Sequence, residues 1–364
     1  MISNLYIDAD VIASPKVQAF QNKLSVPFTI FNDISEVYSI IEASSDPVSQ
    51  GKKNLILTRN KGAFIKKCPG TSEYTCCDYQ ILHIGSFCHM DCSYCILQAY
   101  FHPPVLQYFV NDEDLFKELD QTFSKNQISR IGTGEFTDSL IWEIWTEQAK
   151  PLIECFATQK KAILELKTKT TAVHSLENLD HNKKTIVSWS LNTECIIKSD
   201  ERGTSSLDAR LKAAALCESW GYKLAFHFDP IVIYENCIPE YMAVIEKLFN
   251  HIKSDSIVYI SLGSFRYIPS LKKIIQNRFP DSGIIYGEFI IGLDNKMRYF
   301  KPLRIKTYKA IIEKIRMMAP DVFVYFCMED DEVWIKSMGF SPEQFGGLGK
   351  MLDERVRNYC NLKL

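Results

Sequence analysis

"GSFCHMDCSYCILQ", residues 85–98, places Cys88, Cys92 and Cys95 within eight positions of a 364-residue chain that has twelve cysteines in all. The stretch begins where an apolar run, Gln80–Gly85, predicts a short β-strand. In β/α proteins the chemistry gathers at the carboxyl ends of parallel strands. The three thiols therefore stand where an active site is expected.

From about residue 79 onward, short apolar strands alternate with longer amphipathic helices, which predicts an α/β fold with a parallel sheet. The predicted strands are Gln80–Gly85, Ser129–Gly132, Ala162–Lys167, Thr185–Leu191, Tyr222–Phe228 and Ser256–Leu262. The predicted helices between them are Asn111–Phe123, Leu140–Phe156, Ser206–Trp220 and Pro239–Ile252. Six such units form either a partial (β/α)₆ barrel or a doubly wound sheet.

The sequence on either side of these units predicts extensions packed on the core and not independent domains. Residues 1–78 form an N-terminal region packed on the barrel, residues 79–268 the barrel itself, and residues 269–364 a C-terminal extension. The extension contains the hairpin pattern GEFIIGLDNKMRYFKP with Asp294 and Asn295 at its turn, followed by a helix over Arg304–Met318.

Composition excludes several classes of protein. The chain is 46% hydrophobic and 24% charged with a net charge of −2, so it is not a globally basic nucleic-acid coat, although a local basic groove remains open. Its N-terminus shows no signal peptide and no run of about 18 apolar residues occurs, so we expect no membrane span and a cytoplasmic location. In a reducing compartment, clustered cysteines more often bind a metal than form a disulfide.

The C-x₃-C-x₂-C spacing suits a 4Fe–4S cluster. Three thiolates can bind three of the irons and leave the fourth open, whereas a closed site normally needs a fourth cysteine or a histidine. His89 lies between the first two cysteines and is poorly placed to close the set. The alternatives left open are a zinc knuckle or buried thiols without a metal.

The cysteine loop, with the aromatic Tyr94 directly before its last cysteine, resembles the signature of radical S-adenosylmethionine (SAM) enzymes. The resemblance implies that SAM binds the open iron. It also implies that an electron from a donor such as flavodoxin or ferredoxin cleaves SAM to a 5′-deoxyadenosyl radical. The run GTGE, with Gly132, Gly134 and Glu135, resembles the element that lines the SAM amino group in this superfamily. Glycine permits close backbone approach and a carboxylate can accept from an ammonium group.

Within that superfamily, residues 55–280 most resemble the spore photoproduct lyase family. The matching runs are HMDCSYCILQ, LKTKTTAV, SWSLNTECIIKSDERGTSSLDARLKAA, YKLAFHFDPIVIY and ISLGSFRY. The resemblance implies a partial TIM-type barrel and a carbon–carbon lyase that repairs a methyl-bridged thymine dimer in DNA. It places Lys169, Ser190 and Asn192 around SAM, and we assign Tyr94 and Glu135 to catalysis.

One departure from the family concerns the hydrogen donor. The family's donor cysteine falls on Glu135 or Phe136 here, and its second tyrosine after the cluster falls on Ile96. An S–H bond is weak enough to give up a hydrogen atom, whereas a carboxylic O–H or aromatic C–H bond is not. Cys195 and Cys237, near predicted strand ends, are candidate replacements.

The run NKMRYFKPLRIK interleaves cations with rings, which suits phosphate contact and base stacking. We predict that Arg298, Tyr299 and Lys301 contact DNA, since a basic hairpin in this region also occurs in the lyase family. A solvated hairpin is the structural alternative.

Three functions remain to be distinguished. The first is a radical SAM lyase that repairs a pyrimidine lesion. The second is a radical SAM enzyme acting on a modified nucleoside, a peptide or a small metabolite. The third is a non-catalytic zinc or iron–sulfur protein that binds nucleic acid, which would not cleave SAM.

Overall fold

The computed structural model describes residues 2–363. The strands are β1 Asn4–Asp8, β2 Phe28–Phe31, β3 Asn54–Thr58, β4 Ile65–Lys67, β5 Gln80–Leu82, β6 Gly85–Ser86, β7 Asp91–Cys92, β8 Leu106–Phe109, β9 Ser129–Gly132, β10 Ala162–Thr168, β11 Thr185–Ser190, β12 Glu201–Arg202, β13 Lys223–Ile231, β14 Ile257–Ser264, β15 Arg266–Tyr267, β16 Phe289–Ile291, β17 Met297–Tyr299 and β18 Val324–Phe326. The α-helices are α1 Pro15–Leu24, α2 Ile34–Glu42, α3 Pro47–Lys53, α4 Leu97–Tyr100, α5 Asp112–Phe123, α6 Glu143–Thr146, α7 Ala149–Thr158, α8 Glu194–Asp200, α9 Leu207–Ser219, α10 Cys237–His251, α11 Pro269–Arg278, α12 Lys301–Met318, α13 Asp331–Met338 and α14 Leu348–Tyr359.

The larger sheet is a curled half-barrel. Its order is β18-β14-β13-β11-β10-β9-β5-β4, so seven parallel strands follow one another in chain order and only β4 at the edge is antiparallel. This confirms the predicted partial barrel. The structure adds a seventh parallel strand, β18, which is only three residues long and therefore gives no periodic signal in the sequence.

The middle strands are buried on both faces, as expected when helices or loops cover both sides of a parallel sheet. All six residues of β11 and all eight of β14 are buried. The helices that follow begin at short polar caps: Thr193 accepts from a backbone N–H in α8, and Ser206 does so in α9. These caps fix where each strand-ending loop turns into a helix.

One helix that the sequence predicts as continuous is interrupted in the structure. The stretch Leu140–Phe156 is divided into α6 and α7 because Glu147 adopts a left-handed conformation, φ 50°. A left-handed residue cannot continue a right-handed helix. The break separates α7 from α6, and α6 contacts α1 of the N-terminal region.

The N-terminal region forms a second sheet that interleaves with the barrel. Its order is β2-β1-β3-β8-β6, so two of its strands come from beyond residue 79. Conversely, β4 precedes residue 79 and yet pairs with β5 of the barrel. The two sheets thus exchange strands across the predicted boundary at residue 78.

The C-terminal extension begins with the predicted hairpin. Strands β16 and β17 are antiparallel, β15 pairs with β17, and Asn295 at the turn has φ 57°. Helix α12 starts at Lys301, three residues before the predicted start. Over the part of the chain that the structure covers, no helix combines the length and the apolar character that a membrane crossing requires.

Candidate active site

The cysteine loop follows β6 directly and carries all three predicted cluster thiols. Cys88 and Cys92 are buried and Cys95 is half-buried. Burial and the charge of Asp138 raise the pKa of Cys88, Lys52 opposes them, and the result is a pKa of about 12. The loop therefore offers three sulfur donors on a short segment, which is the donor set that a 4Fe–4S cluster with one open iron needs.

The predicted cluster site remains a prediction from the sequence pattern. Among residues 2–363, no three His, Cys, Asp or Glu side chains are arranged as a site for a single metal ion. The irons of a cubane cluster are spread apart, so its thiolates stand farther from one another than the ligands of one zinc ion do.

Side-chain hydrogen bonds fix the carbonyl groups of the loop. Gln98 donates from Nε2 to the carbonyl oxygens of Cys92 and Ser93 at 3.0 and 3.1 Å. Phe87, directly before the first cysteine, adopts φ 70°, a conformation that costs a non-glycine residue about 1–3 kcal/mol. A strained residue at this place indicates that the surrounding contacts determine the shape of the loop.

Part of the matching run SWSLNTECIIKSDERGTSSLDARLKAA holds the loop from one side. Strand β12 pairs with β7, opposing Glu201 to Cys92. Arg210 of α9 donates to Glu201, and Tyr94 donates its hydroxyl to the same carboxylate. The backbone N–H of Ser93 donates to the Asp200 carbonyl at 2.8 Å. Neither Glu201 nor Arg210 was singled out from the sequence, although both lie in the quoted run.

Arg278 holds the loop from the opposite side. At the end of α11 it donates to both oxygens of Asp91 at 3.0 and 3.2 Å, and to Gln98. It also donates to Asp46 and Ser49 at the start of α3, at 3.2 and 3.0 Å. The cysteine loop is thus fixed by residues from the N-terminal sheet, the barrel and the C-terminal extension.

A cavity of about 320 Å³ opens beside the loop. Four of the predicted site residues line it: Tyr94, Cys95, Glu135 and Ser190. Its floor is polar, because Glu165 accepts hydrogen bonds from Ser188 and Tyr259 and is hydrogen-bonded to His227 at 2.6 Å. Burial alone would raise the pKa of Glu165, but His227 beside it lowers the pKa to about 2. The cavity is therefore charged and suited to a polar ligand.

The GTGE run ends at this cavity, and both of its glycines are closely packed; their contact with SAM stays a prediction. A Cβ on Gly132 would lie 1.7 Å from the hydroxyl of Tyr79, and one on Gly134 would lie 2.8 Å from the Lys167 Cβ. The close neighbours are thus protein atoms. Glu135 points to the cavity and accepts a hydrogen bond from Lys167.

The remaining predicted SAM residues differ in availability. Lys169 places its Nζ 5.8 Å from the Tyr94 ring centroid, beside the cysteine loop. Asn192 donates to the Pro230 carbonyl at 3.0 Å and accepts from Tyr241 at 2.8 Å. These two bonds brace the barrel, and the SAM contact of Asn192 stays a prediction.

The thiols that face the cavity are not those expected from the sequence. Cys68, Cys77 and Cys327 line it, whereas Cys195 is exposed on α8 and Cys237 is buried at the start of α10. Cys68 and Cys77 lie on the connection between β4 and β5, whereas Cys327 follows β18, so only the fold brings the third thiol to the other two.

Phe136 packs elsewhere. Its ring stacks on Tyr100 at 5.8 Å and meets His83 edge-on at 4.8 Å. It occupies an aromatic cluster and does not line the cavity, so a thiol introduced there would be misplaced for hydrogen donation.

The side chains predicted to contact DNA are bonded within the protein, and two of them are buried. Arg298 and Tyr299 are each only 1% exposed, and Arg298 is paired with Asp294 at 2.7 Å and stacked on Tyr74. Lys301 is bound to Asp330 and Glu332 at 3.0 and 2.7 Å. The side chains that the hairpin exposes are instead apolar, namely Ile291 and Leu293, each 70% exposed.

A half-barrel of parallel strands with three thiols on the loop after its first strand, next to a charged cavity, defines a radical SAM enzyme. The family model for spore photoproduct lyase matches residues 42–312. The chain belongs to the spore photoproduct lyase family.

Individual relatives agree with this assignment. The spore photoproduct lyase of Bacillus subtilis is 27% identical over 320 residues, covering 85% of this chain and 90% of that protein. That of Clostridium acetobutylicum is 26% identical over 255 residues, covering 69% and 72%. A solved structure of spore photoproduct lyase complexed with dinucleoside spore photoproduct has a TM-score of 0.81 at 21% identity, covering 90% of this chain and 99% of that one.

Proposed function

We propose that this enzyme repairs the spore photoproduct, a methyl-bridged thymine dimer in DNA, by radical cleavage of the carbon–carbon bond that joins the two bases. The observation that carries the proposal is the cysteine loop beside the cavity, held by Glu201 and Arg210. A relative in this family has been solved with the dinucleoside lesion bound. The cavity offers a place for such a dinucleoside beside the cluster.

The residues fit the cofactors of the class. Cys88, Cys92 and Cys95 would hold a 4Fe–4S cluster, and Glu135 and Ser190 face the cavity where SAM would bind. When bound, the two cofactors supply a radical that removes a hydrogen atom from the substrate. The contribution of the protein is to position the substrate and keep water out.

The cavity thiols are the proposed source of the hydrogen atom that completes repair. In this proposal the substrate radical takes the hydrogen of an S–H group and forms a C–H bond, and one electron from the low-potential donor with a proton from solvent returns the sulfur radical to the thiol. Burial raises the pKa of Cys68, and burial raises that of Cys327 to about 12, so both remain thiols at neutral pH. Cys77 is less suited, since its S–H is engaged with Cys76.

The hairpin is the proposed DNA contact. Exposed apolar side chains can be inserted between base steps, which unstacks and kinks a duplex. Ile291 and Leu293 have this character, while Lys296 in the turn of the hairpin lines the cavity. In this proposal Arg298 and Tyr299 support the hairpin from within.

The electron donor and the location follow from the chemistry. We infer a low-potential one-electron donor such as flavodoxin or ferredoxin. All twelve cysteines are free, which suits a reducing cytoplasm.

The test is anaerobic incubation of the reconstituted protein with SAM, dithionite and dinucleotide spore photoproduct, followed by mass spectrometry. We expect repaired thymine dinucleotide and 5′-deoxyadenosine from the wild type. Cys92→Ala should lose both the iron and SAM cleavage, whereas the exposed Cys195→Ala should keep both. Vigorous SAM cleavage without repair would instead support a different substrate.

The hydrogen donor has its own test. The wild type should repair the lesion cleanly. The triple variant Cys68→Ala, Cys77→Ala, Cys327→Ala should instead turn over slowly and form adducts with dithionite-derived species. Cys195→Ala and Cys237→Ala should repair as the wild type does. Clean repair by the triple variant would exclude the cavity thiols.

The role of Glu135 is tested by Glu135→Ala. Loss of one charge-assisted hydrogen bond costs about 1.5–3 kcal/mol, so SAM affinity should fall about tenfold to a hundredfold with the iron content unchanged. Equilibrium binding of SAM to the reconstituted protein measures this. Unchanged SAM affinity would show that Glu135 interacts only with Lys167 and does not bind SAM.

A further inference from the structure

Lys52, at the end of α3, inserts its ammonium group into the cysteine loop from outside the barrel. The residue is only 9% exposed. Its Nζ donates to the carbonyl oxygen of Cys88 at 2.9 Å and to that of Met90. It also lies 4.5 Å from the centroid of the Phe87 ring. The carbonyl and aromatic groups closest to it carry no full negative charge, and burying an ammonium group is costly, so its charge requires an explanation.

The position of this ammonium group is fixed by close packing of its own helix. A Cβ on Gly51 would lie 1.7 Å from the carbonyl oxygen of Pro104, so only glycine allows α3 to approach the segment after the loop this closely. The ring under the ammonium belongs to Phe87, the residue with φ 70°. Lys52 is thus held at a short, defined distance from the first cysteine.

The one carboxylate close to Lys52 does not neutralise its charge. Asp91 Oδ1 is 3.6 Å away, but both oxygens of Asp91 are bonded to Arg278 at 3.0 and 3.2 Å. On the other side of the loop, Glu201 is paired with Arg210. Both of these carboxylates are therefore paired with an arginine. Lys52 is a fixed positive charge beside the Cys88 carbonyl, opposed at Cys88 by the charge of Asp138.

We propose that Lys52 raises the reduction potential of the cluster held by this loop, by favouring the state that carries one more negative charge. The inference rests on the proposed function, because it requires a cluster on Cys88, Cys92 and Cys95. One-electron reduction transfers an electron from an external low-potential donor to the cluster and moves no proton. A fixed cation in a region of low dielectric constant stabilises the added charge, and its hydrogen-bonded carbonyls keep it in place.

The test separates charge from shape with three variants of the reconstituted protein. Lys52→Gln keeps hydrogen-bond donors for the two carbonyls and removes the charge, Lys52→Arg keeps the charge, and Lys53→Gln removes the neighbouring exposed lysine as a control. Iron content is measured first. The midpoint potential is then measured by anaerobic titration followed by electron paramagnetic resonance.

For Lys52→Gln with full iron we expect at least a tenfold less favourable reduction, which is about 59 mV more negative for a one-electron couple. Lys52→Arg and Lys53→Gln should stay within about threefold of the wild type. An unchanged midpoint in Lys52→Gln overturns the proposal, as does loss of iron in both Lys52 variants, which would make the residue a purely structural brace. A wild type that binds no iron would refute the proposed function itself.

Discussion

Among single residues, the buried ion pair of Arg210 and Glu201 is a contact that stabilises the cysteine loop. Both side chains are almost completely inaccessible, and Tyr94 shares the carboxylate. The partners are nine positions apart in the sequence, yet their meeting depends on how β12 and α9 fold back together. The sequence predicted Tyr94 as a site residue, but its partners could not be identified without the fold.

Arg210→Met should be strongly destabilising, because it leaves Glu201 buried without its cation. Removing one member of a buried pair costs about 3–5 kcal/mol. Urea unfolding of the reconstituted protein measures the free energy of unfolding. The matched control is Lys247→Met, whose pair with Glu194 is exposed and should contribute about 0–1 kcal/mol. Equal effects of the two variants would contradict the importance of the buried pair.

Cys76 should be the most reactive thiol of the protein. A hydrogen bond from Cys77 lowers the pKa of Cys76 to about 6, and the residue is exposed, so it is mostly thiolate at pH 7. Cys195 is also exposed, but burial of its sulfur and nearby carboxylates raise its pKa.

Anaerobic alkylation with iodoacetamide and peptide mapping test this. The rate at Cys76 should rise through pH 6 and level off by about pH 7, while that at Cys195 should still be rising above pH 9. Parallel pH profiles for the two thiols would count against the assignment.

The hairpin of β16 and β17 illustrates what a sequence pattern conceals at the scale of elements. Its turn at Asp294 and Asn295 was predicted from the residues, because few residues accept a positive φ there. Its charges were predicted to face DNA, but Asp294 binds Arg298 and draws it inward. A cation in a sequence gives no sign of whether its partner is a phosphate or an aspartate four residues away.

Replacing Ile291 and Leu293 together by Asp should weaken binding to duplex DNA that carries the lesion by tenfold or more, since burying each apolar side chain contributes about 1.5–3 kcal/mol. Turnover of the dinucleotide lesion should stay unchanged, because the dinucleotide has no duplex to open. Ile335→Asp, on α13, is the control for an exposed apolar residue elsewhere. Equal loss with duplex and dinucleotide would show that the hairpin shapes the cavity instead.

The two interleaved sheets make the whole molecule one cooperative unit. The periodic pattern after residue 79 predicted the half-barrel well, with β9 at the predicted bounds. It could not predict that β8 and β6 join the N-terminal sheet, because pairing between distant strands depends on tertiary contacts and not on local periodicity.

Leu57→Ala, in the fully buried β3, should therefore lower the stability of the cluster site as well as that of the N-terminal sheet. The substitution should cost about 2–5 kcal/mol. Visible absorbance of the cluster and far-ultraviolet circular dichroism should lose signal at the same lowered temperature. Leu216→Ala, 43% exposed, is the control. Separate transitions for the two probes would show that the sheets unfold independently.

The way Arg278 joins Asp46, Asp91 and Gln98 has a consequence for biosynthesis. During translation the three cysteines emerge from the ribosome early, but the arginine that closes their loop is made nearly two hundred residues later. Until then the nascent chain carries exposed thiols without their final enclosure. If the three cysteines hold the proposed cluster, its delivery would follow synthesis of the arginine, and a truncated translation product would present the three thiols without this enclosure.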